Sequence, residues 1–226
     1  MTDAIRIAID GPSGSGKSTL GLALARNLGF PYVDTGAMYR AFAWKVLQAG
    51  AEGSEEILGL VAETRMTVDA DPDAFRVLVN GHDVTGYLRD PAVSSGASTV
   101  AVIPEVRAWL VALQRDLAQE SVVMEGRDIG TVVLPDADCK FFVVAEEDVR
   151  IERRTAQWGE TSNRAASKDV RERDRRDSSR KTSPLRAADD AILIDTSEQT
   201  IEESLAIMLA ALQNEGPGTP EETDST

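Results

Sequence analysis

An α/β fold, with a parallel sheet carrying helices on both faces, is what this sequence predicts, and three observations point to it. Short apolar runs alternate with amphipathic stretches along most of the chain. The first run, Ile5-Arg6-Ile7-Ala8-Ile9, meets a glycine-rich turn and then a helical pattern, which is the order of a strand–turn–helix unit. Two later runs, Ser121-Val122-Val123-Met124 and Lys140-Phe141-Phe142-Val143-Val144, read as buried strands. Strands alternating with helices in this way imply a parallel sheet.

In chain order, Leu20, Ala23, Leu24 and Leu28 recur at helical spacing and Gly29 ends that helix. Pro31-Tyr32-Val33 reads as a second strand, and an amphipathic helix follows from Ala37 to Gln48, closed by Gly50. A short helix at Ser54–Glu63 precedes three extended segments at Met66–Val68, Phe75–Val79 and His82–Val84. Asn80-Gly81 between alternating runs is a strong hairpin signal, so this part reads as a three-stranded β meander inserted between core elements. Helical periodicity returns at Pro91–Val100 and Pro104–Gln119, where proline suits a first turn. A helix from Glu146 carries an arginine-rich region, Ala191–Ile194 is a last strand, and a helix spans Thr200–Gln213. The end of the chain, rich in Gly, Pro and acidic residues, reads as a disordered tail.

A chain of 226 residues holds one well-buried core with insertions. No apolar run approaches the roughly 20 residues that span a bilayer, and Met1-Thr2-Asp3-Ala4 lacks the regions of a signal peptide. One cysteine, Cys139, excludes an internal disulfide framework and fits a cytoplasmic location; with one histidine as well, transition-metal chemistry is not expected. The net charge of −14 argues against nucleic-acid or anionic-membrane partners. That average hides an asymmetry. Residues 150–186 hold 12 of the 24 Lys and Arg against 6 Asp and Glu, so 12 − 6 = +6 in that stretch and −14 − 6 = −20 in the remainder. Such a run is a solvated charged helix or a segment built to grip phosphates.

The glycine-rich turn decides between them. Gly11-Pro12-Ser13-Gly14-Ser15-Gly16-Lys17-Ser18 fits G-x-x-x-x-G-K-[ST] at every fixed position, with a strand before and a helix after. Glycines let the backbone curl until successive N–H groups face phosphate oxygens, and the helix adds its positive end. Lys17 supplies a charge for the β- and γ-phosphates, and the Ser18 hydroxyl reaches Mg²⁺. The chain thus has a P-loop NTPase core.

A GTPase would also carry an Asn-Lys-x-Asp motif, which does not occur. What the chain offers instead is arginine: Arg40, Arg107, Arg127, Arg153, Arg154, Arg173 and Arg180. An acceptor that is already a phosphate needs no general base, but its repulsion from ATP must be offset, and guanidinium forks do this well. Many arginines therefore favour a nucleoside monophosphate acceptor. Another small phosphate or metabolite acceptor, or a nucleotide-binding regulator, are the alternatives.

Four segments occur in order: residues 9–19 (Ile-Asp-Gly-Pro-Ser-Gly-Ser-Gly-Lys-Ser-Thr), 34–40 (Asp-Thr-Gly-Ala-Met-Tyr-Arg), 125–131 (Glu-Gly-Arg-Asp-Ile-Gly-Thr) and 172–180 (Glu-Arg-Asp-Arg-Arg-Asp-Ser-Ser-Arg). Together they resemble the bacterial cytidylate (CMP/dCMP) kinase family over residues 5 to 213, nearly the whole chain. The resemblance implies ATP and CMP or dCMP as substrates, Mg²⁺ as cofactor, a role in pyrimidine nucleotide metabolism, and a monomer. It implies a core of residues 1–36, 93–149 and 185–213, a monophosphate-binding insert at 37–92, a helical lid at 150–184 and a tail at 214–226.

Gly11 to Thr19 would bind ATP with Arg153 and Arg154, which would sit in the lid. Thr35 and Tyr39 would line the monophosphate pocket, where similar proteins often have serine at the former position. Arg40, Arg127 and Arg180 would hold the acceptor phosphate, and Asp177 with Arg173 the ribose. Lys17, Arg127, Arg153 and Arg180 would serve the transfer itself. Asp128 can accept from cytosine N4 while Arg107 donates to N3 and O2, with Ser98 beside them; uracil would leave those groups mismatched. On pattern alone, Arg107 also suits a helix surface, Asp128 a turn cap and Tyr39 a core position.

Overall fold

In the computed structural model, residues 4–158, 163–180 and 183–214 are described. Five strands form one parallel sheet: β1 (Arg6–Asp10), β2 (Tyr32–Asp34), β6 (Val122–Gly126), β7 (Cys139–Val144) and β8 (Ile192–Asp195), in the order β2-β6-β1-β7-β8. β1 is central, with Ile7 opposite Val123 on one side and Ile9 opposite Phe141 on the other.

Alternation along these strands divides the core in two. Ala8, Val33 and Met124 face one side, against Phe42 and Val46 of α2 (Thr35–Ala49) and Leu110 of α5 (Pro104–Asp116). Ile7, Ile9, Val123 and Phe141 face the other, against Leu20 and Leu24 of α1 (Lys17–Leu28) and Met208 of α8 (Ile201–Asn214). The sheet is apolar on both faces because both are covered.

The inserted region contains α3 (Ser54–Ala62) and an antiparallel meander of β3 (Met66–Asp69), β4 (Arg76–Val79) and β5 (His82–Asp83). Asn80 and Gly81 turn the chain with φ of 52° and 82°, the positive pair that a two-residue hairpin requires. Val77 and Val79 pack on Ala37 and Ala41 of α2, which fixes the meander to the core. α4 (Pro91–Val100) also lies along α2. A Cβ on Gly96 would come within 3.2 Å of Ala43 Cβ, so glycine permits that close approach.

Two expectations change. The arginine-rich region is two helices, α6 (Glu147–Trp158) and α7 (Asn163–Ser179), where one was expected. Folding back lets Ile151 bury itself against Ala166 and Val170, which a single continuous rod could not do. Asn214 closes α8, one residue into the segment expected as a tail; residues 215–226 lie outside the described residues. Among the described residues, no single helix is long and apolar enough to cross a membrane.

Candidate active site

The carboxyl ends of β1, β2 and β6 open onto one cleft of about 860 Å³. This is where ligands bind in open parallel sheets, beyond the strand ends at the point where strand order reverses.

The phosphate-binding loop leaves β1 at Gly11, where φ is 154° and a Cβ would lie 2.1 Å from the Val143 carbonyl oxygen. Only glycine fits. The loop's carbonyls are held outward by protein donors: Pro12 accepts from Lys17 Nζ (3.1 Å), Ser13 from Arg150 Nη1 (3.3 Å) and Ser15 from Thr196 Oγ1 (2.9 Å). With these carbonyls engaged by protein donors, the N–H groups of such a curled loop are the atoms left for an anion, as in a backbone nest. Ser13, Gly14, Gly16, Lys17, Ser18 and Thr19 line the cleft; Gly11, Pro12 and Ser15 are not among its lining residues.

Lys17 is 6% exposed and lies 3.9 Å from Glu125. Burial, with Arg127 nearby, lowers its pKa to about 8. Glu125 accepts from Ser18 Oγ at 2.5 Å and from the Tyr32 hydroxyl at 3.1 Å, and burial beside Asp34 raises its pKa. Among the described residues, no group of three or more His, Cys, Asp or Glu side chains could hold a metal ion. A serine hydroxyl backed by one carboxylate nevertheless fits Mg²⁺, which keeps waters and takes further ligands from substrate phosphates.

Opposite the loop, Asp34 caps α2 through Ala37 N (2.8 Å) and grips Arg40 (2.8 Å), while Thr35 Oγ1 donates to the Glu125 carbonyl. Arg127 and Arg180 share Asp177, at 2.8 and 2.6 Å. Burial opposes the charge on Asp177, but these two guanidiniums hold its pKa below the usual value. Arg107 and Asp128 form a buried ion pair, and the Arg107 guanidinium lies 5.8 Å from the centre of the Tyr39 ring. Arg107 Nη1, the Tyr39 hydroxyl, Arg173 Nη2 and Arg180 Nε are buried without hydrogen-bond partners among the described residues. Such atoms are costly to leave unmade, and ligand polar groups would satisfy them. Ser98 lines the same wall.

Arg153 of α6 donates to Thr196 Oγ1 (2.9 Å) and to the Thr196 carbonyl (2.7 Å). Arg154 and Arg173 both bond Asp169 of α7. All ten residues expected on the acceptor side therefore line one cleft with the phosphate-binding loop.

Sequence reasoning passed over Asp10, Asp34, Glu125, Arg150 and Thr196. Glu125 and Asp34 did leave a signal, since each is a carboxylate ending a strand beside the loop. Asp10 ends β1 and accepts from Ile129 N and Gly130 N, both at 2.8 Å; burial raises its pKa to about 7.

Fold and cleft together define a P-loop phosphotransferase. The sequence matches the family model described as cytidylate kinase over residues 7–214. It is 47% identical over 205 residues to a cytidylate kinase of Nocardia farcinica, covering 87% of this chain and 88% of that one. To a cytidylate kinase of Desulfitobacterium hafniense it is 49% identical over 210 residues, covering 90% of each. The fold is similar to that of an uncharacterized protein from Eubacterium ventriosum, with a TM-score of 0.55, 14% identity, and 92% and 98% of the two chains covered. The chain belongs to the cytidylate kinase family and is an ATP-dependent kinase.

Proposed function

We propose that the chain transfers the γ-phosphoryl group of ATP to the phosphate of CMP or dCMP, giving ADP and CDP or dCDP. The observation that carries this reading is the buried Arg107–Asp128 pair in the wall of the cleft that also holds the phosphate-binding loop. Asp128 accepts from cytosine N4, and Arg107, with Nη1 still to be satisfied, donates toward N3 and O2. Arg40, Arg127 and Arg180 hold the acceptor phosphate; Asp177 and Arg173 hold the ribose.

ATP lies with its phosphates on the loop, where Lys17 faces the β- and γ-oxygens. Ser18, backed by Glu125, would hold Mg²⁺. When bound, the ion screens charge on the donor phosphates. An acceptor oxygen attacks the γ-phosphorus in line while the bond to the ADP oxygen breaks, and the guanidiniums offset charge on the equatorial oxygens. Residues 37–92 act as the monophosphate-binding insert and 150–184 as a lid whose Arg153 and Arg154 exclude water. Both substrate sites lie in one chain, so a monomer suffices, and the cytoplasm keeps Cys139 reduced.

A coupled ADP-release assay across CMP, dCMP, UMP, AMP and GMP tests the reading. CMP and dCMP should have the highest kcat/KM; UMP or AMP matching CMP would refute the base assignment.

A further inference from the structure

Asp10 is a buried carboxylate, 4% exposed, that is not among the residues lining the cleft. Its Oδ1 accepts from Ile129 N and its Oδ2 from Gly130 N, each at 2.8 Å. These two amides open a wide helical turn, Ile129–Val133, which closes back on the Asp128 carbonyl through Val132 N (2.9 Å) and Val133 N (3.2 Å). The carboxylate therefore caps this turn from another strand, facing the amide end of its dipole. On the far side the turn rests on Lys140. A Cβ at Gly130 would lie 3.1 Å from Lys140 Cδ and 3.5 Å from Asp10 Oδ2. Lys140 is itself tied to the Pro135 carbonyl and Asp190, both at 2.7 Å.

We infer that Asp10 is a positioning residue for acceptor specificity, fixing the peptides that follow Asp128 and so tying the base-reading carboxylate to the root of the phosphate-binding loop. The inference rests on the reading of Asp128 given above. Its chain logic is short: Asp10 directly precedes Gly11 of the loop, and Ile129 directly follows Asp128. Any shift of the turn moves the Asp128 side chain against Arg107. An asparagine at position 10 keeps the shape but presents one acceptor and one donor to two N–H groups, so one hydrogen bond becomes a repulsive contact. Burying a carboxylate costs more than burying an apolar side chain, so fold stability alone is a poor reason for this residue.

The experiment measures kcat and KM for CMP, UMP and ATP in the wild type, Asp10→Asn, Asp128→Asn and the double variant, with a melting temperature for each. In Asp10→Asn the CMP-to-UMP ratio of kcat/KM should fall about fivefold or more, while KM for ATP stays within about twofold. In the Asp128→Asn background the same change should alter that ratio by less than about twofold, because the group it positions is gone. If Asp128→Asn lowers the ratio and Asp10→Asn does not, the inference alone is overturned. If Asp128→Asn leaves the ratio unchanged, the base reading fails and the inference falls with it. A lower melting temperature with equal loss for both acceptors would mark a purely structural role and overturn the inference. Should Asp10→Asn not fold, Gly130→Ala displaces the same peptide, and an unchanged ratio in that variant overturns the inference equally.

Discussion

Ser18 Oγ donates to Glu125 Oε1 over 2.5 Å, and the same carboxylate oxygen accepts from the Tyr32 hydroxyl. The first helix residue after the lysine is thus oriented by the end of β6, 107 residues away.

From this contact comes a prediction about metal dependence. Glu125→Gln removes the charge but keeps the shape, and one of its polar atoms becomes a donor facing Ser18. The Mg²⁺ concentration for half-maximal rate should rise about tenfold or more, the usual effect of losing a partner that orients a metal ligand. KM for CMP should stay near the wild-type value. A Mg²⁺ titration at saturating substrates measures the first quantity and an acceptor titration the second.

Specificity should follow Asp128. In Asp128→Asn the buried Arg107 loses its counter-charge and, on the proposed reading, cytosine N4 loses an anionic acceptor. The preference for CMP over UMP should fall about tenfold or more, since sites built around hydrogen bonds discriminate through the groups that a mismatch leaves unpaired. KM for ATP should change little. Parallel steady-state kinetics with the two acceptors reads this directly.

Thr196 links the phosphate-binding loop to α6, accepting from Arg153 while its one hydroxyl hydrogen lies within reach of the Ser15 carbonyl (2.9 Å) and the Val144 carbonyl (3.1 Å). Thr196→Val keeps the volume and deletes the hydroxyl. It should lower kcat/KM for ATP by about fivefold to thirtyfold, the equivalent of roughly 1–2 kcal/mol for an unsatisfied buried partner. The CMP-to-UMP ratio should be untouched. Donor titrations at fixed CMP separate the two effects.

Asp10 predicts a pH effect on stability. Its folded pKa of about 7 lies above the ordinary aspartate value of 3.8, chiefly through burial; its two backbone hydrogen bonds oppose the rise, Asp128 adds to it and Arg127 opposes it. Lys140, across Gly130, is engaged by Pro135 and Asp190. The folded state therefore holds a proton that the unfolded chain has released between about pH 4 and 7. Stability from this group is fully present below the lower value and is lost as pH rises through the upper one. Denaturant midpoints of wild type and Asp10→Asn should accordingly differ most in favour of the wild type near pH 4, with the advantage shrinking toward pH 7.5. A flat or growing difference contradicts this.

Much of the architecture was legible locally. The alternation at Ile5–Ile9, the spacing in Gly11–Ser18 and the Asn80-Gly81 pair each act over a few residues, so pattern sufficed. Long-range ties leave no such trace. Asp10 meets Ile129 across 119 residues and Thr196 meets Ser15 across 181, and neither pairing has a period or a spacing. The break between α6 and α7 did leave a trace, since residues 155–163 interrupt the charge run with Glu160 as their one charged side chain, but the small apolar contact of Ile151 with Ala166 and Val170, which the fold-back makes, has no local pattern. Of the residues expected on the acceptor side, Arg107 was ambiguous from its helix alone. Its burial against Asp128 and Tyr39 depends on three separate elements.

Most guanidiniums facing the cleft come with a tethered anion: Asp34 for Arg40, Asp128 for Arg107, Asp177 for Arg127 and Arg180, and Asp169 for Arg154 and Arg173. Bare guanidiniums in such number would collect sulfate or inorganic phosphate from any buffer. Here a stray dianion must compete with carboxylates held at high effective concentration on the same walls. On the proposed reading, a nucleotide adds base and sugar contacts, some of them to these same carboxylates, that a lone anion cannot make. The cleft is thereby guarded against the commonest anions in solution without a gate, by occupants that never leave.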